Sequence, residues 1–109
     1  MKRGEVWWVE FDPSVGTEIH KTRPGIIISN DSANRNLSRV VVIPVASNIA
    51  HQYPGEALVT LKATPGKAMI DQIMAADKLR LKSKLDTLSK SDMKKIEDAI
   101  LTHFAMPKS

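Results

Sequence analysis

Short β-branched runs broken by a turn signal about every ten residues constrain this chain more than any other feature. Glu5 to Phe11 alternates, with Trp7, Val9 and Phe11 on one face and Val6, Trp8 and Glu10 on the other. Asp12-Pro13 stops that strand. Residues 12 to 24 read as a long loop that turns at Gly16, and Pro24 pushes Arg23 toward extended geometry. Gly25 to Ser29 carries Ile26-Ile27-Ile28, apolar on both faces, which is the pattern of a central strand. Asn30 to Ser38 is polar and predicts a loop, and Arg39 to Val45 is the most continuous β-branched stretch.

The second half continues the theme and then changes period. Residues 46 to 55 predict a loop closed by Tyr53-Pro54-Gly55, and Glu56 to Leu61 a strand. Thr64-Pro65-Gly66 is a turn signal within Lys62 to Gly66. Lys67 to Ala75 reads as one strand interrupted by Asp71-Gln72, and Asp77 to Leu81 as a short strand or irregular stretch. Met93, Ile96, Ile100 and Phe104 then recur at helical spacing, with Ser89 or Ser91 available as the N-cap and Pro107 beyond the end. The expected fold is mainly β with a C-terminal α-helix: a small, strongly bent sheet or partial barrel, one domain over residues 1–109.

Composition removes several function classes. Hydrophobic residues are 42% and charged residues 26% of 109, close to globular averages, which argues against disorder. No apolar run approaches the ~18 residues that cross a bilayer, so no membrane partner is expected. The opening Met1-Lys2-Arg3-Gly4-Glu5 leads into a Trp-rich segment without a secretory apolar core, and no cysteine is present; both fit a cytoplasmic protein. His20, His51 and His103 are scattered without metal-ligand spacing, and the five glycines form no phosphate-cradling cluster, so neither metal nor cofactor is expected. The net charge of +4 lies wholly in the last third. There Lys78, Arg80, Lys82, Lys84, Lys90, Lys94, Lys95 and Lys108 outnumber Asp86, Asp92, Glu97 and Asp98. Such an excess suits either a polyanionic partner or a solvated lysine-rich face.

Three polar groups remain as candidates. Glu18, His20, Lys21, Thr22 and Arg23 precede the Ile strand. Arg23, held extended by Pro24, could grip a phosphate with its fork of donors or be an ordinary loop arginine. Ser47, Asn48, His51 and Gln52 follow the Arg39–Val45 strand. Asp71-Gln72 places a carboxylate in an apolar run, which calls for a partner, either an ion pair with Arg23 or a catalytic role.

At these residues the chain resembles the MazF/PemK (Kid) family of toxin ribonucleases. The opening Met1-Lys2-Arg3-Gly4-Glu5-Val6-Trp7-Trp8-Val9 carries the likeness first. Phe11-Asp12-Pro13, Gly16-x-Glu18, Lys21-Thr22-Arg23-Pro24 and Ile26-Ile27-Ile28-Ser29-Asn30 follow in order. Val42-Ile43-Pro44-Val45, Tyr53-Pro54-Gly55-Glu56 and Asp71-Gln72 complete it over about residues 2 to 103. The resemblance implies an SH3-like barrel with a C-terminal helix, as in the MazF, PemK and CcdB toxins, usually homodimeric. It implies a sequence-specific toxin that cuts single-stranded RNA, mRNA included, without a metal. The ribose 2′-OH attacks the adjacent phosphate, leaving a 2′,3′-cyclic phosphate and a 5′-OH. It also implies a cognate antitoxin whose flexible acidic tail covers the RNA groove.

By the same resemblance Arg23 is the catalytic arginine and Asp71 a base for the 2′-OH. Glu18, His20, Lys21, Thr22, Asn48, His51, Gln72, Lys78 and Arg80 are expected to contact RNA. One departure bears on activity: Ala46 stands at the family's usual threonine, followed by Ser47. Losing one transition-state donor costs about 10²–10³ in rate, so impaired cleavage is expected unless Ser47 substitutes. Strand alternation would turn Ser47 to the opposite face from Ala46. Thr17 and Met69 stand where the PemK branch can carry histidine and arginine. The alternatives are a non-catalytic RNA- or antitoxin-binding member of the fold, and a CcdB-like toxin directed at a protein.

Overall fold

A computed structural model describes residues 1–108, so only Ser109 of the expected domain lies outside it. The order is β1 (Glu5–Glu10), β2 (Thr22–Ile27), α1 (Asp31–Asn36), β3 (Arg39–Ala46), β4 (Glu56–Leu61), β5 (Thr64–Met69), β6 (Met74–Asp77), β7 (Leu81–Thr87) and α2 (Lys90–His103). Single 3₁₀ turns, Ile70–Gln72 and Lys78–Arg80, flank β6. All pairing is antiparallel, in the order β4-β5-β3-β2-β1-β7, with β6 also on β3. The curled sheet and single long helix are the half-barrel that the pattern predicts.

The strand β3 serves two sheets. Arg39 to Val42 pair with β6, and Val45 and Ala46 pair with β5 along the same edge. Pro44, which has no N–H to donate, lies between these two stretches. Its two faces feed two cores. Ile43 and Val45 join Val6, Ile26, Val59, Ile70 and Ile96; Val40 and Val42 join Val9, Phe11, Ile27 and Leu81. The alternation read in β1 holds, since Val6 enters one core while Val9 and Phe11 enter the other, with Trp7 packed against it. Each fully buried aliphatic side chain contributes roughly 1.5–3 kcal/mol through burial.

Glycine makes the close approaches possible. A Cβ on Gly25 would lie 2.8 Å from Val9 Cγ2, and one on Gly66 would lie 2.6 Å from Val45 Cγ1. The helix α2 begins at Ser89, whose hydroxyl accepts from Asp92 N at 3.1 Å, and buries Ile96 and Ala99. Asp92 Oδ2 in turn accepts from Thr60 N, and Asp86 Oδ2 from Lys62 N, both at 2.9 Å. Two carboxylates thus satisfy alternate N–H groups on the outer edge of β4, where no strand pairs.

Five boundaries differ from the sequence expectation. The polar stretch 30–38 holds α1, because Asn30 Oδ1 caps Ala33 N at 2.8 Å and Asn34 is buried. The Ile strand starts earlier, at Thr22, since extended Arg23-Pro24 already pairs with Val9 and Trp8. Thr64-Pro65-Gly66 is strand; the turn is Lys62-Ala63, with φ of 48° and 63°, a two-residue hairpin that needs positive φ. The expected strand 67–75 is split by the 3₁₀ turn carrying Asp71 and Gln72. The strand β7 has no counterpart in the reading because its exposed Lys82, Ser83 and Lys84 hide the period. Its pairing with β1 also shifts register twice, skipping Leu85 and Lys82.

Two outcomes follow from this packing. Gly25→Ala forces the new methyl against Val9 and is expected to destabilise by about 1–3 kcal/mol, read as a lower urea midpoint at unchanged slope. The hydrogen bonds from Lys62 N and Thr87 N hold the Asp86 carboxyl below the ordinary aspartate range, against slight burial. Its stabilising contribution is therefore complete above that range and is lost as pH falls through the lowered value. Asp86→Asn is expected to melt lower than the parent at neutral pH, with the gap closing in acid. A gap that stays constant down to acid unfolding would contradict this.

Candidate nucleic-acid interface

The starts of β2 and β5 and the end of β3 meet around a cleft of ≈ 320 Å³. Arg23 and Pro24 come from β2; Val45, Ala46 and Ser47 from the end of β3; Leu61, Lys62 and Thr64 from the β4–β5 hairpin. Trp8 and Leu85, with Pro65 and Gly66 of β5, complete the lining. The placement follows from strand register. Gly25 lies opposite Pro44, the last pair of the β2–β3 ladder, so Arg23 and Ala46 each lie two positions beyond it. The two positions that the resemblance singles out line the same cleft, just beyond the last paired residues of β2 and β3. Leu85 reaches the lining at the first register shift of β7, next to Asp86.

Ser47 lies beside Ala46 at this cleft. The strand β3 ends at Ala46, Ser47 sits in a bend, and both residues line the cleft. Alternation stops governing a side chain where the ladder stops. Arg23 and Lys62 are the charged lining residues, and no carboxylate faces them there. Neither enters an ion pair among the described residues. The cleft is cationic over an aromatic and apolar surface, a combination that receives a phosphate with its attached base.

Asp71 is not part of this cleft. With Glu18 and Gln72 it lines a second one of ≈ 440 Å³, under the loop between β1 and β2. The Arg23–Asp71 ion pair entertained from sequence does not form. Gln72 Oε1 accepts from Ile19 N and thereby pins that loop. Glu18 Oε1 accepts from Val15 N at 2.7 Å within the loop. His20 and Lys21 are exposed ahead of β2, and Thr22 pairs with Glu10. Asn48 Oδ1 accepts from Ala50 N at 3.0 Å, and the exposed His51 offers its carbonyl to Lys67 Nζ at 3.0 Å.

Lys78 and Arg80 line neither cleft. Lys78 Nζ donates to Asn34 O, and Arg80 Nη1 donates to Glu10 O at 3.0 Å and Asp12 O at 2.8 Å. Both cations serve chain carbonyls here, which a charge count could not foresee. Trp8, Lys62, Thr64 and Leu85 were missed. Trp8, 37% exposed, was the detectable one: a large aromatic on a half-buried strand. The others depend on the hairpin and on the irregular β7. Among the described residues, no group of three or more metal-ligating side chains comes together, and no helix is long and apolar enough to cross a membrane.

Comparison with known proteins places this geometry. Endoribonuclease MazF9 of Mycobacterium tuberculosis is 34% identical over 112 residues, covering 94% of this chain and 95% of that protein. Endoribonuclease MazF of Staphylococcus saprophyticus is 32% identical over 106 residues, covering 92% and 88%. Among solved structures, MazF of Deinococcus radiodurans superposes with a TM-score of 0.85 at 22% identity, over 97% of both chains. A mycobacterial endoribonuclease in complex with its cognate antitoxin gives 0.84 at 22% identity, over 100% of this chain and 99% of that one. These two structures share the fold, with its curled antiparallel sheet and C-terminal helix. The family of PemK-like, MazF-like toxins matches residues 2–104. With nearly the whole length matched, this chain belongs to the PemK-like, MazF-like toxins of type II toxin–antitoxin systems.

Proposed function

We propose that this chain is a metal-independent endoribonuclease that cuts single-stranded RNA, mRNA included, at a short sequence motif. The observation that carries the reading is the cleft where Arg23 and Lys62 face no carboxylate, beside the exposed ring of Trp8. A phosphodiester seated there gains fixed positive charge, and a flanking base gains a stacking surface. The 2′-oxygen attacks the adjacent phosphorus, the P–O5′ bond breaks, and the products are a 2′,3′-cyclic phosphate and a 5′-OH. The proton from the 2′-OH leaves to a base, and the departing 5′-oxygen gains one. Arg23 stabilises the charge that builds on the equatorial oxygens.

Asp71 takes the 2′-proton only if the RNA runs through both clefts, since within one chain it lies apart from Arg23. The loop that lines the second cleft leads directly into β2, which makes such a path continuous in the chain. Glu18, His20, Lys21 and Thr22 would lie along it, and Asn48 and His51 in the loop beyond Ser47. Ala46 offers no hydroxyl, so the rate is reduced to whatever Arg23 and Ser47 supply. The same missing hydroxyl favours, as the second reading, a member that binds RNA or antitoxin without cutting. The proposed setting is the cytoplasm, with the chain acting as one domain, dimerised with a second copy. A cognate antitoxin with an acidic flexible tail would be held by the same cationic cleft. The complex of a mycobacterial relative with its antitoxin supports that partner class.

Arg23→Ala is expected to abolish cleavage of a single-stranded RNA while leaving the melting temperature nearly unchanged, because no ion pair is broken. Retained cleavage with a large loss of stability would make Arg23 a structural residue. Ala46→Thr restores a hydroxyl beside Arg23 and is expected to raise the single-turnover rate ~10-fold or more with RNA affinity little changed. Equal single-turnover rates would mean that Ser47 already fills the role.

A further inference from the structure

The tip of the β4–β5 hairpin is built from Lys62 and Ala63, both at positive φ, where asparagine and glycine fit best. Its position is imposed from outside the hairpin. Asp86 Oδ2 accepts from Lys62 N at 2.9 Å, while Asp86 Oδ1 accepts from Thr87 N at 2.8 Å. The carboxylate is thus occupied by backbone N–H groups. The Lys62 ammonium is in no ion pair among the described residues and belongs to an exposed residue. Lys62 lines the Arg23 cleft and also an adjoining depression of ≈ 330 Å³ shared with Lys84, Leu85, Asp86 and Thr87, where the Asp86 carboxylate feels the Lys62 charge without a direct ion pair. A strand leaving the cleft on this side passes Lys62 first. Lys84 is already engaged with Glu5 at 3.5 Å.

We propose that Lys62 is a second phosphate-binding residue of the cleft, contacting the RNA backbone next to the phosphodiester that Arg23 holds, with Asp86 as the residue that positions it. The proposal rests on the ribonuclease reading, because it requires a nucleic-acid strand in that cleft. Lys62 fixes the path of the RNA and contributes affinity independent of sequence. An ammonium on a flexible stem suits a single backbone phosphate better than a planar base edge. Releasing one condensed counterion per phosphate makes the contact readable as salt dependence.

The test uses the full chain and a single-stranded RNA oligonucleotide made uncleavable by 2′-O-methylation, titrated from 50 to 200 mM salt. Lys62→Asn and Lys62→Gly remove the charge while suiting the positive φ, so at least one folded variant is secured. Each is expected to lower the slope of log affinity against log salt by about 0.7, a two- to three-fold smaller loss of affinity across that range. Lys62→Arg is expected to keep the parent slope. Lys94→Gln serves as the control for bulk charge, since Lys94 pairs with Asp98 on the outer face of α2. An unchanged slope in both Lys62 variants, or an equal drop in Lys94→Gln, overturns the proposal while leaving the ribonuclease reading intact. A parent protein that shows no salt-dependent RNA binding overturns both.

Discussion

The double pairing of β3 is the constraint on which the rest of the molecule depends. One strand of eight residues pairs with β2 through Val42 to Pro44 on one edge and changes from β6 to β5 on the other. Pro44 lies at the change. A strand shared in this way cannot belong to a flat sheet, so the sheet curls and its two faces become two cores. The same change of partner brings the start of β5 toward the start of β2, leaving a cleft at the end of β3. Ala46 and Ser47 lie where they do because the strand ends there, and Arg23 faces that end because of the Gly25–Pro44 register.

A curled sheet that does not close leaves an exposed edge, and this one is managed with side chains. Asp92 at the start of α2 and Asp86 at the end of β7 accept from Thr60 N and Lys62 N on the outer edge of β4. Each satisfies a backbone donor that a further strand would otherwise take. The arrangement couples the helix, the last strand and the hairpin tip. The wall of the cleft therefore inherits its position from residues that do not line it. Electrostatics follow the same logic: Asp86 accepts from two backbone N–H groups and feels the Lys62 charge only at longer range, with no direct ion pair between them.

The candidate site was only partly legible in the chain. Arg23-Pro24 could be read because proline restricts the residue before it, a local effect. Ala46 stood out only against a family pattern, since alanine at a strand end carries no signal of its own. Ser47 is not governed by strand alternation, since β3 ends at Ala46 and Ser47 sits in a bend at the cleft. Asp71 and Gln72 looked like a polar interruption of one strand and are instead a 3₁₀ turn serving a different cleft, with Gln72 holding Ile19 N. Lys78 and Arg80 counted toward the basic excess, yet both donate to backbone carbonyls. Charge in a sequence says how many cations exist and nothing about which are engaged.

What the sequence by itself determined was periodic and local. The Ile26-Ile27-Ile28 and Arg39–Val45 runs dictate central strands because both faces are apolar. The Met93, Ile96, Ile100 and Phe104 spacing dictates a helix with one apolar stripe, which packs on the core through Met93, Ile96 and Ile100 but stops before Phe104, exposed at the C-cap. The N-cap at Ser89 belongs to the same class, since a hydroxyl and an N–H a few residues apart interact whatever surrounds them. Tertiary structure alone decided which strands meet, where the hairpin turns at Lys62-Ala63, and that Leu81–Thr87 is a strand at all. The physical reason is that those features are selected by pairing over long separations. The outer strand β7 is stabilised by partners on β1, not by its own lysine-rich composition. The cleft has the same origin: its residues converge from β1, β2, β3, β5, β7 and the β4–β5 hairpin, and no window of sequence contains them together.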